Sequence, residues 1–150
     1  MNEIQIIQQQ LGTERLHFSE VANACAAALD SGNLAAGGEF TAACADYFAF
    51  AVTRLAGVAD GRAALKLEAA RSDGPASERW REFLRVFKDE SSKHFAAVDS
   101  LLTRNPPVTE WRAVSKIDAD SIFAERARYD RVKSTLPPGV ALLPSSLPSQ

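Results

Sequence analysis

The chain is poor in the residues that mark many specialised proteins. Of its 150 residues only two are cysteines, Cys25 and Cys44, and neither belongs to a Cys-x-x-Cys pair. Both fall on apolar helical positions, so buried free thiols are expected. No sign of charge dominates: 17 basic residues face 19 acidic ones, a net charge of -2. That balance argues against a nucleic-acid partner or an anionic membrane, since both need a basic surface. Arg79, Arg81 and Arg85 cluster locally, but Glu78, Glu82 and Asp89 interleave with them, as on a solvated helix face. Apolar runs of about 18 residues are missing, so no membrane-spanning helix is expected. The first ten residues hold Asn2, Glu3 and a run of glutamines without a basic start, unlike a secretory signal. A cytoplasmic location is the expectation.

Chemical motifs are scarce too. Gly37-Gly38 precedes a helix but has no strand before it and no lysine after it, so it is not a phosphate loop. There is no Gly-x-Ser-x-Gly elbow and no grouping of serine, histidine and acid. The reading therefore leans away from an enzyme.

What the chain does have is helix-forming sequence. A 46% apolar share with 24% charge is ordinary for a globular domain. A chain of this length can bury roughly 70% of the surface its unfolded form exposes. Alanine, the best helix former, is abundant. The expected fold is all-α, an up-and-down four-helix bundle with short additional helices and an extended C-terminal tail.

Its expected parts follow from periodicity and breaks. Residues 1–11, with Ile4, Ile6, Ile7 and Leu11, predict a short N-terminal helix broken by Gly12. Thr13 is the expected cap of a helix over 13–31, with Phe18, Val21, Cys25 and Leu29 as its stripe and Gly32 as its end. A second helix is expected over 34–56, with Phe40, Cys44, Tyr47, Phe48, Ala51 and Leu55 facing inward. Asp60 to Arg71 reads as a short helix or an extended connection, and Ser72-Asp73-Gly74-Pro75 as a break. The clearest pattern lies in 75–104, where Trp80, Phe83, Leu84, Phe87, His94, Phe95, Val98 and Leu101 share a face until Pro106-Pro107 stops it. A short helix is expected near Thr109 to Lys116, and a last one over 119–136. Together 1–136 form the bundle; the proline- and serine-rich residues 137–150 read as an extended or disordered tail.

A few residues stand out as candidates for a ligand site. His94 lies about 20° off the line of Phe87, inside an apolar stripe. It is either a core histidine bonded to a backbone carbonyl or Ser91, or a metal or ligand contact inside the bundle. Glu125 sits between Ile122 and Tyr129 on the last helix, as an inward-facing acid whose pKa should rise unless a cation such as Arg54 pairs with it. Tyr47 and Phe87 belong to an aromatic row that is either core or the lining of a cavity. His17 lies at the edge of its helix's apolar face. Glu20 and Glu90, each near a histidine in sequence, are expected to be solvated. On the second helix Ala42, Ala45 and Ala49 make a small-residue face that another helix or a second subunit could cover.

Arg15-Leu16-His17 opening a helix, the hairpin Ala28-Leu29-Asp30-Ser31-Gly32-Asn33-Leu34, the aromatic helix through Tyr47 and Phe48, and Lys93-His94-Phe95 together resemble the hemerythrin-like bundles. The resemblance covers about Thr13 to Leu102. It implies a four-helix bundle, with His17 and His94 as the two positions that match metal ligands, for iron or zinc. The remaining ligands of the family are missing: His94 is followed four residues later by Val98, and the second helix carries no His-x-x-x-Glu pair. The resemblance thus implies a bundle that keeps the shape without the di-iron centre.

Two functions follow as expectations. One is a non-enzymatic protein-interaction or regulatory module without cofactor, self-associating through the Ala42, Ala45 and Ala49 face. The other is a ligand- or metal-binding bundle with its site around His94, Glu125, Tyr47 and Phe87.

Overall fold

The structure, a computed structural model, describes residues 1–34, 38–55 and 76–143. All regular structure among them is helical: α1 (Glu3–Asp30), α2 (Glu39–Ala51) continued by a 3₁₀ turn (Val52–Arg54), α3 (Ala76–Arg104), α4 (Val108–Ser115) and α5 (Ala119–Ser134). The all-α expectation holds. The expected connection over residues 60–71 and the break at 72–75 lie outside the described residues.

The first correction concerns Gly12. It does not break the chain; α1 is a single helix of 28 residues. Its cap is Asn2, whose side chain accepts from the Gln5 amide while Gln5 reaches back to the Asn2 amide. Thr13, expected as a cap, instead donates to the Gln9 carbonyl from within the helix. A mid-helix glycine costs about 1 kcal/mol relative to alanine. Burial of Ile7 and Leu11 on one side of it and Phe18 and Val21 on the other outweighs that cost. The other end matches the sequence: Gly32 takes φ +79°, and the Asn33 and Gly32 amides bond back to Ala28 and Leu29.

The second helix is shorter than expected. It starts at Glu39 after Gly38 and tightens into a 3₁₀ turn at Val52. The last helix opens on a capping box formed by Asp118 and Ser121 and stops at Ser134, before Pro137, which disfavours a helical residue ahead of it. The tail is not wholly detached. Val140 and Leu142 pack on the core, and the Asn23 amide donates to the Leu143 carbonyl.

Paired contacts set the helix directions. Glu14 meets Arg54 and Phe18 meets Tyr47, so α1 and α2 are antiparallel. Arg15 meets Asp99 and Asp30 meets Arg81, so α1 and α3 are antiparallel as well. Gln10 reaches Glu125 and Glu20 reaches Tyr129, so α5 runs alongside α1 in the same direction. Helix α1 touches every other described helix and runs at their centre. Around it Phe18, Tyr47, Phe48, Trp80, Phe83 and Phe87 pack edge to face or tilted, with Phe83 and Phe87 stacked on each other, at centroid separations between 4.9 and 6.3 Å.

Candidate functional site

Among the described residues, a buried polar network and an open groove stand out against the apolar core.

The network lies where α1, α2 and α5 meet. Glu125 is 1% exposed. One oxygen accepts from His17 Nδ1 and from the Tyr47 hydroxyl, both at 2.7 Å, and the other from Gln10 Nε2 at 3.3 Å. Burial pushes this carboxyl up, but the hydrogen bonds from His17, Tyr47 and Gln10 outweigh it and hold the group below its ordinary range. The same burial and the carboxylate beside it push the Tyr47 hydroxyl far up, so it stays a donor. The Nδ1 contact directs Nε2 of His17 away from the acid, and the ring stacks on Tyr129 at 3.5 Å and 7°. The Tyr129 hydroxyl in turn donates to Glu20.

One turn along α1, Gln10 also donates to Glu14 at 2.9 Å. Glu14 is fully buried and receives Arg54 bidentately. Burial sets Glu14 above its ordinary value despite that partner. Arg54 spends its other donors on the Lys116 carbonyl and the Ser121 hydroxyl.

These contacts sort the sequence expectations. Glu125 faces inward, as read from its stripe. Its pKa falls, and the groups responsible are His17, Tyr47 and Gln10, while Arg54 belongs to Glu14. Glu20 is buried under Tyr129, which corrects its expected solvation; α5 covers that flank of α1. Glu90 does stay near water, beside Lys93. Glu14 and Gln10 are the residues that sequence reasoning missed.

His17 and His94 do not come together as ligands. His17 is committed to Glu125. His94 is 8% exposed, and its Nε2 finds no hydrogen-bond partner among the described residues, Ser91 included. Burial, with Arg54, Lys116 and Arg15 nearby, lowers it to about 4, so it is neutral at pH 7. Among the described residues no three His, Cys, Asp or Glu side chains are grouped to hold a metal. The Arg54 guanidinium, bonded to Glu14, the Lys116 carbonyl and Ser121, already sets a cation beside the buried acids.

The alanine face is also corrected. Ala45 is fully buried within its own chain, Ala42 is partly covered, and only Ala49 is exposed. With Ala45 covered from within the chain, the three do not form an open surface. Cys25 and Cys44 are buried free thiols, and burial, with Cys44 beside it, pushes the Cys25 thiol well up.

The groove runs between α1 and α3 and encloses about 540 Å³. Phe18, Phe87, Phe95 and Ala22 line it, with Arg15, Lys88, Ser91 and Asp99 among its polar groups. Phe87 is thus the single member of the expected ligand set that borders a cavity of this size; Glu125, Tyr47 and His94 do not line it. At one end Arg15 and Asp99 pair through two bonds of 2.9 and 3.0 Å, and the Arg15 guanidinium lies 5.2 Å from the Phe95 ring centroid. No helix among the described residues is long and apolar enough to cross a membrane. In comparisons with known proteins, no family model, curated protein or solved structure matches this chain.

Proposed function

We propose that this chain is a non-enzymatic helical binding module and that the groove between α1 and α3 is its recognition surface. The observation that carries this reading is the groove itself: about 540 Å³ in which rings of Phe18, Phe87 and Phe95 line the cavity beneath a few polar groups. That size and lining fall in the range of small-molecule sites, roughly 300–1,000 Å³. The buried network supports the same reading from the other side of α1. Its acids are engaged by His17, Tyr47, Gln10, Arg54 and Tyr129, which fixes the rotation of α1 and therefore which of its residues form the groove wall. The earlier idea of an interior site around His94 loses ground, because the polar groups there are either spent on each other or face cations. Self-association through the alanine face loses ground with the burial of Ala45.

A neutral apolar dye, N-phenyl-1-naphthylamine, tests the groove without involving charge. Saturable fluorescence enhancement at one site per chain is expected. Ala96→Trp places an indole from an exposed position into the groove, and should abolish the enhancement with the thermal midpoint unchanged. Enhancement that survives Ala96→Trp, or never saturates, would remove the groove from consideration.

A further inference from the structure

The groove has an asymmetry that its volume alone does not reveal. Two cations line it, Arg15 and Lys88, and they are in different states. Arg15 is neutralised by the bidentate contact with Asp99. Lys88 is exposed and has no ion-pair partner among the described residues. The one acid that lines the groove is therefore spent, and its unbalanced charge is positive.

Ser91 lies one turn beyond Lys88 on α3 and lines the same groove. Its hydroxyl oxygen is buried and has no hydrogen-bond partner among the described residues. A helical serine ordinarily relieves this by donating to a carbonyl one turn back. A buried donor left unspent is uncommon, and points to a partner that arrives from outside. Lys88 and Ser91 are three residues apart, so their side chains share a face of α3. The aromatic rings continue from that face toward the Arg15–Asp99 pair, which closes the far end with a neutral contact.

We propose that the groove binds a small amphiphile with a single carboxylate head. Lys88 and Ser91 take the carboxylate, and Phe18, Phe87 and Phe95 take the apolar body. This inference rests on the reading of the groove as a binding site. It adds the sign and place of the head group.

The test is displacement of N-phenyl-1-naphthylamine from the full chain by dodecanoate and by dodecanol, both below their aggregation concentrations. Dodecanoate should displace the dye about tenfold more effectively, as one charge-assisted contact implies. The Lys88→Gln variant should bring the two ligands to near parity, and raising the salt should do so in part. Ser91→Ala should weaken dodecanoate and leave dodecanol unchanged. Equal displacement by both ligands in the unaltered chain would overturn the head-group assignment while leaving the groove as a site. Dye binding that appears only in a chain ending at Leu143 would overturn it as well, giving the groove to the chain's own last residues. Failure of the dye to bind either chain would remove the groove itself.

Discussion

Arg54 lies against Glu14 through two parallel hydrogen bonds of 2.9 Å, with 2% of one side chain and none of the other open to solvent. In water such a pair is worth little; out of water, removing one member strands the other. Arg54→Met should therefore destabilise the fold by about 3–5 kcal/mol, read by urea denaturation at pH 7. Replacing both, Glu14→Met with Arg54→Met, should restore most of that loss. A single variant within about 1 kcal/mol of the unaltered chain would show that water reaches Glu14.

Glu125 gives a prediction in acid. Its folded pKa is below its unfolded one, so the carboxylate contributes stability above the unfolded value and loses it as pH falls through the folded value. Tyr47→Phe removes one donor and should cost about 1–3 kcal/mol at pH 7. Because it also lets the Glu125 pKa climb, the variant should begin losing stability at a higher pH than the parent. A Tyr47→Phe chain whose acid denaturation midpoint does not move would contradict this.

His94 titrates in a separate window. It is a base whose folded value is lowered to about 4 from 6.5. Between those limits the unfolded chain holds the extra proton, so stability rises with pH through that interval and is complete above it. His94→Leu should flatten the stability profile between pH 6.5 and 4, recovering on the order of 3 kcal/mol at the acid end of that interval. An unchanged slope would mean that the imidazole takes up its proton in the folded state. An NMR titration of the ring protons would show the same directly.

Gly12 offers the opposite kind of change. It lies inside α1 with no positive φ, and an added Cβ would meet nothing within 4 Å. Gly12→Ala should stabilise by about 1 kcal/mol and raise the thermal midpoint by a few degrees. A lower midpoint would mean that the helix bends there in solution.

The same glycine shows why the sequence was legible only in part. Stripes made of large side chains were readable: Trp80 to Leu101 on α3, Phe40 to Leu55 on α2. Glu125 could be placed inward because it falls between two stripe residues. Glu14 could have been found in the same way, since Ile7, Leu11, Glu14, Phe18, Val21 and Cys25 step by three and four without interruption. Reading Gly12 as a stop cut that row in two and hid its one acid. Glu20 escaped for another reason. A helix surrounded on several sides buries more than a half-circumference stripe, and periodicity in one helix does not reveal how many neighbours it has. Ala45 escaped through the same gap, as small residues look alike whether a subunit or the chain's own core covers them.

The hydrogen bonds that converge on Glu125 join residues 78, 108 and 115 positions apart. A ribosome delivers Gln10, His17 and Tyr47 long before the acid that binds them. Until α5 is synthesised, His17 and Tyr47 face an interior that lacks their acceptor, while Gln10 can already bond Glu14, and Glu14 and Arg54, 40 positions apart, can already pair. The growing chain therefore holds an unfinished centre from Tyr47 until Glu125, and the last described helix is the one that closes it.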